Sequence, residues 1–178
     1  MTGEPTRVVV APAPAPAVGA DRVSGAGLLA GAVLAGVGTF IAIAALGGLA
    51  AFIAQPFVLG SFGASCVLLF GFPAGPFSQP RNLVGGHLLT TTVGLAFLAL
   101  FGPGWPAMAA AAAVAVALMI LTRTVHPPAG SNPVIIFVGH AGWSFLLMPT
   151  AVGVGTLLVI AWLFWRVKRP GTWPVRWW

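Results

Sequence analysis

Between Arg22 and Arg166 few side chains can do ionic chemistry. Arg81 and Arg123 carry charge, His87, His126 and His140 can acquire it, and no Asp or Glu occurs. Both acids, Glu4 and Asp21, precede this stretch. A carboxylate pair for acid–base work is therefore absent, as is a Cys/His group at metal-ligand spacing. The single cysteine, Cys66, lies in an apolar run without a base near it in sequence, and reads as a small buried filler. Neither an enzyme nor a metal or other cofactor is expected. The remaining groups are cationic or neutral, which favours an anion or a neutral solute over a metal cation.

These groups are set in an apolar chain. The sequence of 178 residues is 58% hydrophobic and 6% charged, with a mean hydropathy of +1.01, against roughly 25% charge in soluble domains. It has too little polar surface to cover a soluble domain, so it reads as an integral membrane protein. The net charge of +6 comes from basic residues at the ends of apolar spans, where they orient a protein in the bilayer. Nucleic acid is not an expected partner; membrane lipid is.

Six apolar segments position the polar groups: 24–46, 57–72, 83–101, 105–122, 131–142 and 145–165. The first, third, fourth and sixth have about the 20 residues that a full span requires. The second and fifth are short, and each follows a break, Gln55-Pro56 and His126-Pro127-Pro128. The sequence thus predicts an all-α polytopic membrane protein with four long transmembrane helices and two short or broken ones. The order long–short–long occurs twice, over 24–101 and 105–165, joined at Gly102-Pro103-Gly104. That pattern suits a 3+3 inverted repeat, in which matched short segments point to a transporter's binding site. With six crossings and an internal N-terminus, all eight Lys and Arg residues face the cytoplasm. Four crossings with two re-entrant segments satisfy the same rule. A bacterial-type inner membrane, with both termini cytoplasmic, is the expected location.

Flanking this core, residues 1–23 read as a disordered Ala/Pro-rich cytoplasmic tail, because Ala11 to Pro16 alternates the two residues. Residues 24–166 form the transmembrane domain, and 167–178 a cytoplasmic tail rich in Trp and Arg. The Trp-rich end (Trp162, Trp165, Trp173, Trp177, Trp178) with Arg166, Lys168 and Arg169 reads as an interfacial anchor.

Candidate binding residues follow from the breaks. Pro127 and Pro128 remove two backbone donors, so 124–130 is expected to run extended into a short helix starting near Ser131, a plausible N-cap. The first turn of such a helix presents unpaired N–H groups and a partial positive charge. Gly130, Ser131 and Asn132 lie there, and Ser61, Gly63, Ala64 and Ser65 occupy the matching place in the second segment. Two such starts facing each other would bind a small anion without formal charge; helix packing is the competing reading. His126, three residues after Arg123, is open to roles as a gate, a proton partner or a loop-locking donor. His87, after Gly85-Gly86, could line a cavity or pack. Arg81 with Asn82, and Arg123, could draw anions to the inner mouth or anchor the chain to headgroups.

The stretch His126-Pro127-Pro128-Ala129-Gly130 resembles the HPP family of integral membrane proteins. Gly63-Ala64-Ser65, Gln79-Pro80-Arg81-Asn82 and Gly85-Gly86-His87 are similar to that family's pattern, over about residues 22–165. Members are usually described with four membrane spans, and some cyanobacterial and plastid members are nitrite transporters. The resemblance implies the same here, although Ser131-Asn132-Pro133 stands where small residues such as Ala and Thr are usual. The expected function is a small inorganic anion transporter or channel, most readily for nitrite, with the anion at facing short-helix N-termini. The alternative is a non-transporting membrane scaffold or accessory subunit. So small a bundle has little interior to enclose a pathway, so a homodimer or homotrimer is expected.

Overall fold

The computed structural model describes residues 25–53 and 59–177. The Ala/Pro tail, Arg22 and the Gln55-Pro56 break lie outside the described residues. Among those described there is no strand, and the chain is a helical bundle. Helix α1 runs over Gly25–Ile53, and α2 over Gly60–Cys66, continuing as a wider π-type turn over Val67–Gly71. Next come α3, Pro80–Phe101, and α4, Trp105–Leu121. A 3-10 turn over Pro127–Ser131 leads into α5, Asn132–Val138. A π-type segment, Leu146–Ala151, runs into α6, Val152–Lys168.

Among the described residues three helices are long and apolar enough to cross a membrane: Gly25–Ile53, Pro80–Phe101 and Leu146–Lys168. This is a multi-pass membrane protein. The fourth segment expected to be long, α4, has 17 residues. That is about 25 Å at ~1.5 Å per residue, against ~30 Å of hydrocarbon. Helix α3 starts three residues before the expected 83, because Pro80 fits the first helical position, where its absent N–H would have had no partner. At its other end Gly102 has φ 72° and donates its N–H to the Leu98 carbonyl, so the chain turns where glycine is cheapest.

The stretch after α4 differs from expectation. His126 is extended (φ −134°, ψ 97°), but Pro127–Ser131 coils into a 3-10 turn instead of remaining extended. Prolines at the first positions of such a turn cost nothing, since those N–H groups have no partner inside the turn.

Helix α3 is the central element, packed along α4 and α5 and against the start of α6, while α1 packs on α2 and α6. Ala42, Leu46, Phe62, Leu69, Leu157 and Ala161 form the larger core. Leu95, Ala111, Ile136 and Phe137 form a smaller one between α3, α4 and α5. Two glycines set the closeness of this packing. A Cβ on Gly86 would lie 2.8 Å from His126 Cβ and 3.0 Å from the Thr124 carbonyl oxygen; one on Gly94 would lie 2.9 Å from Pro133 Cα. The HPP loop and α5 therefore rest directly on the α3 backbone.

The C-terminal tail also departs from its reading as an interfacial anchor. Trp165 and Trp173 are buried; Trp165 Nε1 donates to the Leu69 carbonyl and Trp173 Nε1 to the Ser78 carbonyl. Gln79 clasps the tail: its Oε1 accepts from the backbone N–H of Val175 and Arg176, while its Nε2 donates to the Pro73 and Gly75 carbonyls. Trp162 and Trp177 stay at least partly exposed, with Arg166 stacked 5.2 Å over the Trp162 ring.

Candidate functional site

Ser65, on the buried face of α2, lies beside two histidines. Its Oγ is 3.0 Å from His87 Nε2 and 2.8 Å from His126 Nε2. His87 comes from the second turn of α3, and His126 from the loop that Gly86 admits against that helix. Asn132, the first residue of α5, places Nδ2 3.0 Å from His87 Nδ1. Ser65, His87, His126 and Asn132 are all fully buried. The two short helices, α2 and α5, thus meet at opposite nitrogens of one imidazole.

The partners fix the direction of each bond. The Asn132 amide nitrogen can only donate, so His87 Nδ1 accepts and the ring proton sits on Nε2. His126 Nδ1 lies 2.7 Å from the Phe77 carbonyl oxygen, which can only accept, so its proton sits on Nδ1 and its Nε2 accepts. With both rings neutral the bonds run one way. Asn132 donates to His87, His87 to Ser65, Ser65 to His126, and His126 to Phe77. The Ser65 hydroxyl has a second acceptor 2.9 Å away, the Ser61 carbonyl one turn back. A proton added at His126 Nε2 can therefore be met by swinging that hydroxyl to Ser61, with every ring nitrogen still partnered.

Threonines extend the network. Asn132 Nδ2 also lies 3.2 Å from Thr90 Oγ1 and 3.0 Å from Thr91 Oγ1, and Thr91 meets Thr150 at 3.3 Å. Among the described residues two buried oxygens, Ser61 Oγ and Asn132 Oδ1, have no hydrogen-bond partner. An unpaired buried polar atom costs about 1–3 kcal/mol, so these two are the points at which the cluster is incomplete.

A second group lies at the end of the bundle where α3 begins and α4 ends. Arg81 Nη2 donates to the Thr122 carbonyl at 2.9 Å, and Asn82 Nδ2 to the Val125 carbonyl at 2.7 Å, lacing α3 to the HPP loop. Arg81, Asn82 and Arg123 line a polar cavity of about 200 Å³ together with Gln79, Arg176 and Trp177.

Other candidates lie apart from the buried cluster. Ala64 is exposed, because the helical register that buries Ser61 and Ser65 turns it away. Ser131 is also exposed, and its hydroxyl donates to the Pro128 carbonyl at 2.8 Å instead of capping α5. Gly63 and Gly130 are half-buried. Sequence reasoning missed Thr90, Thr91, Thr150, Arg176 and the Phe77 carbonyl. Thr90 and Thr91 left a signal, since positions three and four after His87 share its helix face. Thr150 and Arg176 left none. Among the described residues no group of three or more His, Cys, Asp or Glu could hold a metal ion.

Residues 25–174 match the family model described as HPP, transmembrane region. Two transmembrane proteins of Dictyostelium discoideum are similar to the chain. One is 37% identical over 130 residues, 68% of this chain and 42% of the relative; the other is 33% identical over 129 residues, 68% and 45% respectively. The chain therefore spans less than half the length of these relatives. No solved structure matches it.

Proposed function

The chain belongs to the HPP transmembrane family, and on that premise we propose that it carries or conducts a small inorganic anion, nitrite first among them. The observation that carries this reading is the buried cluster of Ser65, His87, His126 and Asn132, which is polar yet holds no carboxylate. Polar groups inside a membrane domain are costly and mark solute pathways by default. These offer O–H and N–H donors, as an anion requires. The Ser61 hydroxyl, in the first turn of α2, has no bond to give up, and the Asn132 Nδ2 donors, at the start of α5, would leave His87 or the threonines to meet an anion.

In this reading Arg81 and Arg123 form the cytoplasmic mouth, and their positive potential raises the local anion concentration. Helices α1, α3, α4 and α6 cross the membrane as four spans, with α2 and α5 as half-helices of an inverted 3+3 repeat. The protein works as a homodimer or homotrimer in a bacterial-type inner membrane, with both termini in the cytoplasm. No covalent chemistry is assigned to it.

A second reading, a scaffold or accessory subunit, is favoured by the closure of the network, in which all four imidazole nitrogens already have partners. Flux from proteoliposomes separates the two. The transport reading expects nitrite movement that drops in Asn132→Leu and His126→Ala. Absence of nitrite, nitrate and formate movement by folded protein would overturn it and leave the scaffold.

A further inference from the structure

Two adjoining cavities of opposite character lie where the C-terminal tail folds against α3. The first is the polar cavity of about 200 Å³, with guanidinium groups from three separate places: Arg81 at the start of α3, Arg123 in the loop after α4, and Arg176 in the tail. The only acidic side chains of the sequence are Glu4 and Asp21, so none between Arg22 and the C-terminus opposes these three charges. Arg81 gives one N–H to the Thr122 carbonyl, which fixes the side chain and leaves the rest of its donor fork. Arginine forks match the paired oxygens of a phosphate group.

The second cavity, about 320 Å³, shares Arg81 and Trp177 with the first, but its other lining residues are Pro80, Val84, Gly85, Thr124 and Leu158. It is an apolar groove leading away from the charged end. Leu158 lies ten residues before the end of α6 at Lys168, or about 15 Å along that helix, so the groove borders the apolar part of α6 and not its basic end.

From this pairing we infer that the two cavities form one site for an anionic phospholipid, its phosphate among Arg81, Arg123 and Arg176 and an acyl chain along Val84 and Leu158. The basic part supplies the charge complement, and the groove selects a lipid over a free phosphate. Gln79 holds the site together by fixing the backbone of Arg176. The lipid therefore tethers the tail to the beginning of α3. This does not depend on what the protein transports.

Native mass spectrometry of the full chain released from detergent, titrated with phosphatidylglycerol, phosphatidylcholine or inorganic phosphate, tests the inference. Phosphatidylglycerol is expected to be retained in preference to phosphatidylcholine. The double variant Arg123→Gln/Arg176→Gln, both exposed positions, should weaken that binding about thirtyfold. Val84→Trp, which fills the groove and keeps the arginines, should also weaken it. Thermal unfolding of each variant without lipid confirms that it is folded. Equal retention of the two lipids, or unchanged binding in the double variant, would overturn the proposal. So would inorganic phosphate competing fully with the lipid while Val84→Trp has no effect, since the site would then take free phosphate.

Discussion

Ser65 on α2 and His126 in the loop before α5 stand 61 residues apart in sequence, and their side chains meet at 2.8 Å in the buried centre of the molecule. The contact joins the two short helices through side chains, and His87 completes it from α3 at 3.0 Å. One hydroxyl thus serves two imidazoles. The first prediction concerns that hydroxyl.

Ser65→Ala should leave His87 Nε2–H without an acceptor and His126 Nε2 without a donor. Stranded buried polar groups cost about 1–3 kcal/mol. Thermal unfolding in detergent should therefore occur at a clearly lower temperature than in the unmodified protein. Ser65→Cys, which retains a weak donor and acceptor, should fall between them. Equal stability of all three would mean that the hydroxyl is not bonded as described.

Gly86→Ala places a methyl group 2.8 Å from His126 Cβ and 3.0 Å from a backbone oxygen that cannot rotate away. Overpacking of this kind costs about 1–3 kcal/mol and should push the HPP loop off α3. Gly36→Ala is the control, because no heavy atom lies within 4 Å of its built Cβ. Thermal unfolding of the pair should show a loss for the first and little change for the second.

Gln79→Ala removes four hydrogen bonds, two of them to the backbone N–H groups of Val175 and Arg176. Those two amides should exchange with deuterium faster, while amides in the middle of α3 keep their protection. Hydrogen exchange read by mass spectrometry resolves the two regions. Unchanged exchange at both amides would show that the clasp does not hold the tail.

Under the proposed anion transport, Arg81→Gln and Arg123→Gln should slow flux by about tenfold at low ionic strength, where attraction acts over a Debye length of ~30 Å at 0.01 M salt. At 0.15 M, with that length near 8 Å, the deficit should shrink. Arg81→Gln should keep the larger residual defect, because Arg81 also bonds the Thr122 carbonyl. Proteoliposome flux at the two salt concentrations measures both effects. A deficit independent of salt would exclude electrostatic attraction as the role of these residues.

Much of the architecture was legible because hydrophobicity is a local property of the chain. The apolar runs predicted helices in nearly the observed places, and the HPP stretch predicted a break before a short helix. Helix α4 ends within one residue of the expected 122, whereas the 3-10 turn at Pro127–Ser131 was not legible, since such ends depend on how neighbouring elements meet. Ser131 and Ala64 illustrate the same limit. Both belong to the right motif, but the helical register and a local hydrogen bond turn them outward.

The sequence by itself determined that this is a membrane protein, helical, free of acidic side chains in its apolar part, with its neutral polar residues gathered near two prolyl breaks. Those are properties of composition and order. Only the tertiary structure decided that Ser65 and Asn132 take opposite nitrogens of His87, that Thr90 and Thr91 back the amide, and that Arg176 joins Arg81 and Arg123. The physical reason is that a hydrogen bond requires its partners within about 3 Å. Here the partners are 22 to 61 residues apart, and they converge because Gly86 and Gly94 let the HPP loop and α5 rest on the backbone of α3.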